Sequence, residues 1–254
     1  MKAMVLAAGL GTRLRPLTND RPKALVEVEG KTLLEITLCR LRAFGIKDVI
    51  INVFHFADLV LDYLKANKNF GMHIAISREE VLLDTGGGLK NASWFFLGSP
   101  GDSREALILH NVDVLSTIDL RRMVQFHNEH QALATLAVHD RPTSRPLLFD
   151  PQLRLCGRRL SPQQADEMAR AEPNPQALAF SGIHVISLSL LRMISEEGIF
   201  SIINSYLRLA AQEQKILAFR ADEYYWRDVG KPESLRAAAE DLKNEELRSR
   251  FFVQ

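Results

Sequence analysis

Two cysteines in 254 residues, Cys39 and Cys156, are too few for a disulfide framework. One falls in an apolar helical pattern and the other in a polar, loop-like stretch, which fits a reducing compartment. The seven histidines show no H-x-x-x-H or Cys/His spacing, so a zinc site has no sequence support. Excess charge is also missing: a formal net charge of +1 gives no reason to expect nucleic acid or an acidic membrane as partner. No apolar run approaches the ~20 residues that span a bilayer. The amino-terminal run is too short for a leader and carries no cleavage pattern, so the expected location is cytoplasmic. A G-x-S-x-G elbow is absent, and with it any sign of a covalent nucleophile. Neither familiar phosphate fingerprint is present: Leu14 stands where G-x-G-x-x-G needs its third glycine, and no G-x-x-x-x-G-K-[ST] occurs. Repeats, low-complexity tracts and linker-like composition breaks are lacking too.

With 46% hydrophobic residues the chain can bury a large core. Apolar runs alternate with amphipathic stretches through the first half. Residues 4–8, 48–53, 72–76, 106–109 and 132–138 read as strands; 33–44, 56–64, 86–96 and 117–130 read as helices. Gly45 stands where a helix-closing glycine is expected. Such alternation predicts βαβ units and a mainly parallel sheet covered on both faces. The second half is less regular. Residues 141–146 and 158–175 read as loops. Residues 179–187 read as a strand whose central Gly182 predicts a bulge. A helix over 199–212, a strand over 215–220 and a helix from Pro232 complete the pattern. One domain over residues 1–254 is expected.

The organising stretch is MVLAAGLGTRLRPLTNDRPKALV, residues 4–26. An apolar strand breaks into a turn carrying Gly9 and Gly11, followed by Thr12, Arg13, Arg15, Pro22 and Lys23. Bare backbone N–H groups at a strand's carboxyl end cradle anions. The cations beside them point to a highly charged one, such as a triphosphate. Two carboxylates, Asp113 after the strand 106–109 and Asp228 before Val229 and Gly230, would supply what Mg²⁺ takes beside phosphate oxygens. Either aspartate alone reads as a turn or cap residue; their placement with a phosphate loop favours metal. The run Asp84-Thr85-Gly86-Gly87-Gly88 suits a flat base or a phosphate. A helix opening at Gly86 would leave N–H groups available.

These residues resemble the signature of the sugar-1-phosphate nucleotidylyltransferases, in which a Leu-Ala-x-Gly-x-Gly-Thr-Arg-Leu-x-Pro-Leu-Thr run precedes Pro-Lys. The likeness continues in order through DTGGGL (84–89), NVD (111–113), FSGIHVI (180–186) and WRDVGKPE (226–233). Short members similar to N-acetylmuramate-1-phosphate uridylyltransferases and mannose-1-phosphate guanylyltransferases fit best. The resemblance implies a Rossmann-like three-layer α/β/α sandwich with a mainly parallel, mixed central sheet. It also implies a nucleotide-binding half over about residues 1–130 and a sugar-binding half over about 131–240. The implied reaction joins an NTP (UTP, GTP or dTTP) to a sugar-1-phosphate with Mg²⁺ as cofactor, by in-line attack at the α-phosphorus.

Carried over by position, Ala8, Gly9, Gly11 and Thr12 would hold the nucleotide, and Gly86 and Gly87 would face the base. Arg13 would stabilise the departing pyrophosphate, and Lys23 would bridge the sugar phosphate and the α-phosphate. Asn111 and Gly182 would contact the sugar substrate, while Asp113 and Asp228 would bind the metal. The residues depart from the family pattern where a Glu-Lys-Pro segment is common: VHDRPTSRP stands there, with Arg141 and Arg145 but no lysine. Val112 and Lys231 replace a small residue and a threonine. No hexapeptide-repeat extension follows, so no fused acetyltransferase domain is expected. Two other readings stay open on sequence: a cytidylyltransferase using a non-sugar phosphate such as phosphocholine, and a silent homologue that binds NDP-sugars. The base, the sugar and the oligomeric state are not decided by these letters.

Overall fold

A computed structural model describes residues 1–98, 105–161 and 163–251. The chain divides into two compact units. The first comprises Met1–Leu82, Leu109–Thr117 and Tyr225–Gln254; the second comprises Leu83–Ile108 and Ile118–Tyr224. Among the described residues no helix is long and apolar enough to cross a membrane.

The first unit is built on parallel strands. Lys2–Leu6 pairs with Asp48–Val53, which pairs in turn with His73–Arg78, so that Leu6, Asn52 and Ser77 stand side by side. The central strand, DVIINV, is apolar on both faces because helices cover both faces of such a sheet. Helix Leu33–Ala43 follows the first strand. The Thr32 hydroxyl accepts the Glu35 N–H at its start, and Gly45 at φ +83° ends it. Leu34, Leu38 and Leu41 form its fully buried stripe. Helix Ala57–Ala66 connects the next two strands.

The strand expected over 4–8 lies two residues earlier, which leaves Ala7 and Ala8 to the loop. Val114–Ser116 is a strand paired antiparallel with Trp226–Asp228, and neither strand was expected. Behind this ribbon, helix Pro232–Asp241 leads to helix Glu245–Phe251. Tyr225 packs edge-on against the Phe251 ring at 5.8 Å, and the Arg40 guanidinium lies 5.5 Å from the same ring.

In the second unit Ala134–His139 pairs antiparallel with Gln176–Ser187 and parallel with Ile216–Arg220. Gln176–Ser187 also pairs with Leu147–Phe149, which continues through Leu155–Arg158 to Glu167–Met168. These three short strands fall where loops or nothing were expected. They are two to four residues long, too short to show a period, and exist because a neighbouring strand pairs with them. The bulge expected at Gly182 is present: its φ is +75°, and the register slips between Phe180 and His184. Helix Leu120–Glu129 starts three residues later than the pattern over 117–130 suggests, because Asp119 accepts the N–H groups of Arg121 and Arg122.

His127 on that helix is buried between the Thr135 and Ser187 hydroxyls, at 2.9 and 3.0 Å. The Ser187 hydroxyl donates to the Ala132 carbonyl, so its oxygen accepts the His127 Nε2–H. Burial pushes this imidazole down to about 4, and does the same to His110. Both rings bind protons between about pH 6.5 and 4 only in the unfolded chain, so stability must fall as the pH drops through that window. The full loss is about 3 kcal/mol for each ring. Urea midpoints measured at about pH 7 and about pH 4.5 should differ clearly; equal midpoints would show that neither ring is buried neutral.

Candidate active site

In the first unit the strand Lys2–Leu6 ends in a loop whose first two residues, Ala7 and Ala8, are buried, whereas Gly9 and Leu10 are exposed. Gly11 at φ +64° then opens the tight turn Thr12–Leu14. A Cβ there would stand 3.0 Å from the Thr18 methyl and 3.2 Å from the Lys23 Cβ, so only glycine lets the loop fold back. The Thr18 hydroxyl donates to the Gly11 carbonyl at 2.9 Å. Leu14 is fully buried and pins the turn, and Arg13 stays at the surface beside it.

Lys23 begins a second tight turn after Pro22 and is only 8% exposed. A buried ammonium needs a counter-charge, and the Asp113 carboxylate supplies it by accepting a hydrogen bond from Nζ. Asp113 lies between the strands Ala106–Asn111 and Val114–Ser116. Because Asp228 pairs with Val114 and the Val229 N–H donates to the Asp113 carbonyl at 2.9 Å, the ribbon brings both aspartates to one end. The Asp228 carboxylate accepts the Gly230 N–H at 2.6 Å.

Gly230 is where these groups meet. A Cβ placed on it would lie 2.7 Å from Arg13 Nη2, 2.7 Å from Asp228 Oδ1 and 3.0 Å from Lys23 Nζ. Four charged side chains of the stretches predicted to act together therefore converge: Arg13, Lys23, Asp113 and Asp228. Asp228 sits at the end of a two-stranded antiparallel ribbon.

Two carboxylates as hard oxygen donors fit Mg²⁺, which completes its shell with phosphate oxygens and water. No cluster of three or more His, Cys, Asp or Glu able to hold an ion by itself occurs among the described residues. Asn111 Oδ1 is a buried acceptor without a hydrogen-bond partner there, as a residue awaiting a donor from a ligand would be. The neighbouring His110 is neutral at ordinary pH because of its burial, and its Nδ1 lies 2.8 Å from the Asn111 carbonyl oxygen.

Gly86, Gly87 and Gly182 belong to the second unit. The helix starts at Asp84, two residues before the expected Gly86, and ends at Asn91; Trp94–Leu97 is a separate turn. The N–H groups of Gly86 and Gly87 are not available, contrary to expectation: both donate to the Phe200 carbonyl, at 2.9 and 3.2 Å. Phe200 N–H returns to the Leu83 carbonyl, and Ile202 N–H to the Thr85 hydroxyl. A Cβ on Gly86 would strike the Phe200 ring, so part of the reason for the glycine run is this close packing. Beside Gly182, Ser181 Oγ lies 2.7 Å from His139 Nδ1, and the Arg141 guanidinium donates to the Phe180 carbonyl at 3.2 Å. Arg145 is exposed.

Sequence reasoning named Gly230 only as a neighbour of Asp228 and missed that the charged side chains crowd against it. It also missed Asn52 and Glu79, which sit inside and just after apolar strands with no motif around them.

A family model described as "Nucleotidyl transferase" matches residues 2–149. The chain is 58% identical over 93 residues to the N-acetylmuramate alpha-1-phosphate uridylyltransferase of Caulobacter vibrioides, covering 35% of this chain and 38% of that protein. It is 29% identical over 247 residues to the mannose-1-phosphate guanylyltransferase of Mycobacterium tuberculosis, covering 94% and 64%. The matches thus span less than two thirds of these relatives' lengths. The crystal structure of HddC from Yersinia pseudotuberculosis complexed with GMP-PN superposes with a TM-score of 0.73 at 21% identity, over 95% of this chain and 99% of that one. This likeness shows the fold: a Rossmann-like α/β class with a mixed parallel and antiparallel sheet and flanking helices.

Proposed function

We propose, from the premise that this chain belongs to the nucleotidyl transferase family, that it joins an NTP to a sugar-1-phosphate, giving an NDP-sugar and pyrophosphate. The convergence of Arg13, Lys23, Asp113 and Asp228 on Gly230 carries this reading. In the reaction an oxygen of the sugar phosphate attacks the α-phosphorus in line, a P–O bond forms, and the bond to pyrophosphate breaks. Both reactants are anions, so the work is to neutralise charge and hold the approach angle; no protein nucleophile is required. Lys23, buried and preset by Asp113, would bridge the two reacting phosphates. Arg13, exposed on its turn, would neutralise the pyrophosphate as it leaves.

Members of this family generally use a divalent metal. Asp113 and Asp228 would hold Mg²⁺, which when bound neutralises phosphate oxygens as a Lewis acid. Ala8, Gly9, Gly11 and Thr12 would hold the nucleotide. Asn111 Oδ1 would accept a hydrogen bond from a sugar hydroxyl. The substrates are UTP, GTP or dTTP with a sugar-1-phosphate.

Pyrophosphate release across a grid of NTPs and sugar-1-phosphates with Mg²⁺ tests the proposal, and a CTP and phosphocholine arm covers the non-sugar alternative. At least one sugar pairing should turn over; silence in all of them would discard the enzyme reading. Gly230→Ala offers a narrower check. The three atoms nearest the added methyl are the ends of side chains, so the fold should survive, but Arg13, Lys23 and Asp228 must shift. Turnover should fall by about ten- to a hundredfold with little change in melting temperature. Unchanged turnover would mean that the convergence on Gly230 is not the reacting geometry.

A further inference from the structure

The glycine loop hangs between two fixed points. At its far end the Thr18 hydroxyl holds the Gly11 carbonyl. At its near end the Ala7 N–H donates to Asn52 Oδ1 at 2.8 Å, and Asn52 Nδ2 donates to Glu79 Oε1 at 2.6 Å. Both bonds are buried, with Asn52 2% and Glu79 4% exposed. Asn52 stands beside Leu6 in the parallel register, and Glu79 follows the next strand, its own N–H donating to the Val53 carbonyl. Three neighbouring strand ends are thereby tied in a row, and the last tie is on the backbone of the loop itself.

We infer that Asn52, oriented by Glu79, is a positioning residue for the nucleotide loop. The inference rests on the function proposed above. A carboxylate accepts and does not donate, so Glu79 obliges Asn52 to turn its NH₂ toward it. The Asn52 carbonyl oxygen is then aimed at Ala7. Ala7 cannot swing outward, and Ala8, Gly9 and Leu10 start from a fixed origin. A glycine-bearing loop that binds through its main chain must otherwise be ordered by the ligand, and that ordering weakens binding. Asn52 does not touch the nucleotide; it removes the freedom that the nucleotide would have to quench.

The test exchanges the polarity of the two residues. Asn52→Asp keeps an oxygen for Ala7 but sets a second carboxylate against Glu79, so the pair must repel or capture a proton. Its affinity for whichever of UTP, GTP and dTTP the wild type binds with Mg²⁺, measured by calorimetry at about pH 7.5, should drop about tenfold or more. The loss should shrink as the pH falls and the pair is protonated. In Asn52→Asp/Glu79→Gln the glutamine amide donates to the introduced carboxylate, and nucleotide affinity should return to within about threefold of the wild type. The KM for sugar-1-phosphate should stay within about twofold throughout, which general loosening of the fold would not allow.

Wild-type affinity in Asn52→Asp, or no recovery in the double variant, overturns the inference. Should Asn52→Asp fail to fold, the double variant decides alone: restored affinity supports the tie, and weak affinity in a folded double variant overturns it. A wild-type protein that binds none of the three nucleotides overturns the proposed function instead. Wild-type binding without turnover also discards only the enzyme reading, because the tie is read from binding.

Discussion

Asp113→Asn is expected to lower turnover by about a thousandfold or more, since losing a metal carboxylate withdraws several kcal/mol from the transition state. The protein should remain folded. Asparagine keeps an oxygen where the Lys23 ammonium can still donate, so the cost is nearer ~1–3 kcal/mol than the ~3–5 kcal/mol of a fully broken buried pair. A domain with ~5–15 kcal/mol of stability tolerates that. Pyrophosphate release measured across a Mg²⁺ titration, beside a thermal melt, checks both halves. Wild-type turnover at saturating Mg²⁺ would take Asp113 out of the metal role.

Lys23→Met separates what the lysine does for the fold from what it does for the reaction. The methionine fills the space, but the Asp113 carboxylate, whose side chain is 18% exposed, loses its cation. Turnover should fall by about 10²–10³, the usual effect of removing one preorganised charge that faces a transition state. Stability should fall with it. In Lys23→Met/Asp113→Asn neither charge remains to be left alone, so stability should recover relative to the sum of the single losses, by a coupling of ~0.5–3 kcal/mol. Turnover should not recover, because both charges act on substrate. A double variant that regained turnover would make the ion pair a latch with no part in the chemistry.

The convergence of charges was legible because the letters that carry it cluster. A strand, a glycine turn, Arg13 and Lys23 follow one another within 23 residues, and Asp113 directly follows a buried strand that its apolar run betrays. The parallel strands were legible for the same reason: DVIINV has the continuous apolar character of a strand buried on both faces. What the sequence hides is pairing. Val114–Ser116 and Trp226–Asp228 are three residues each and become strands only through each other, yet they deliver Asp228. The donors at Gly86 and Gly87 looked available because nothing near them in sequence could accept; the acceptor, Phe200, lies more than a hundred residues on. Asn52 could not be singled out either. One polar letter inside an apolar strand acquires meaning only when the neighbouring strand ends are seen to share its hydrogen bonds.

The pairing of Val114–Ser116 with Trp226–Asp228 also sets a clock on how the site comes into being. The first strand leaves the ribosome about a hundred residues before its partner, a delay of roughly 5–20 s at ordinary rates of synthesis. Residues Ile118–Tyr224 of the second unit lie between the two in sequence, and the whole of that unit is made before Asp228 exists. Through that interval Lys23 and Asp113 can already neutralise each other, and the second aspartate is still missing. A nascent chain therefore carries its cations and its glycine loop with only half of the carboxylate pair, and the site is closed by the same late segment that brings Phe251 to Tyr225 and Arg40.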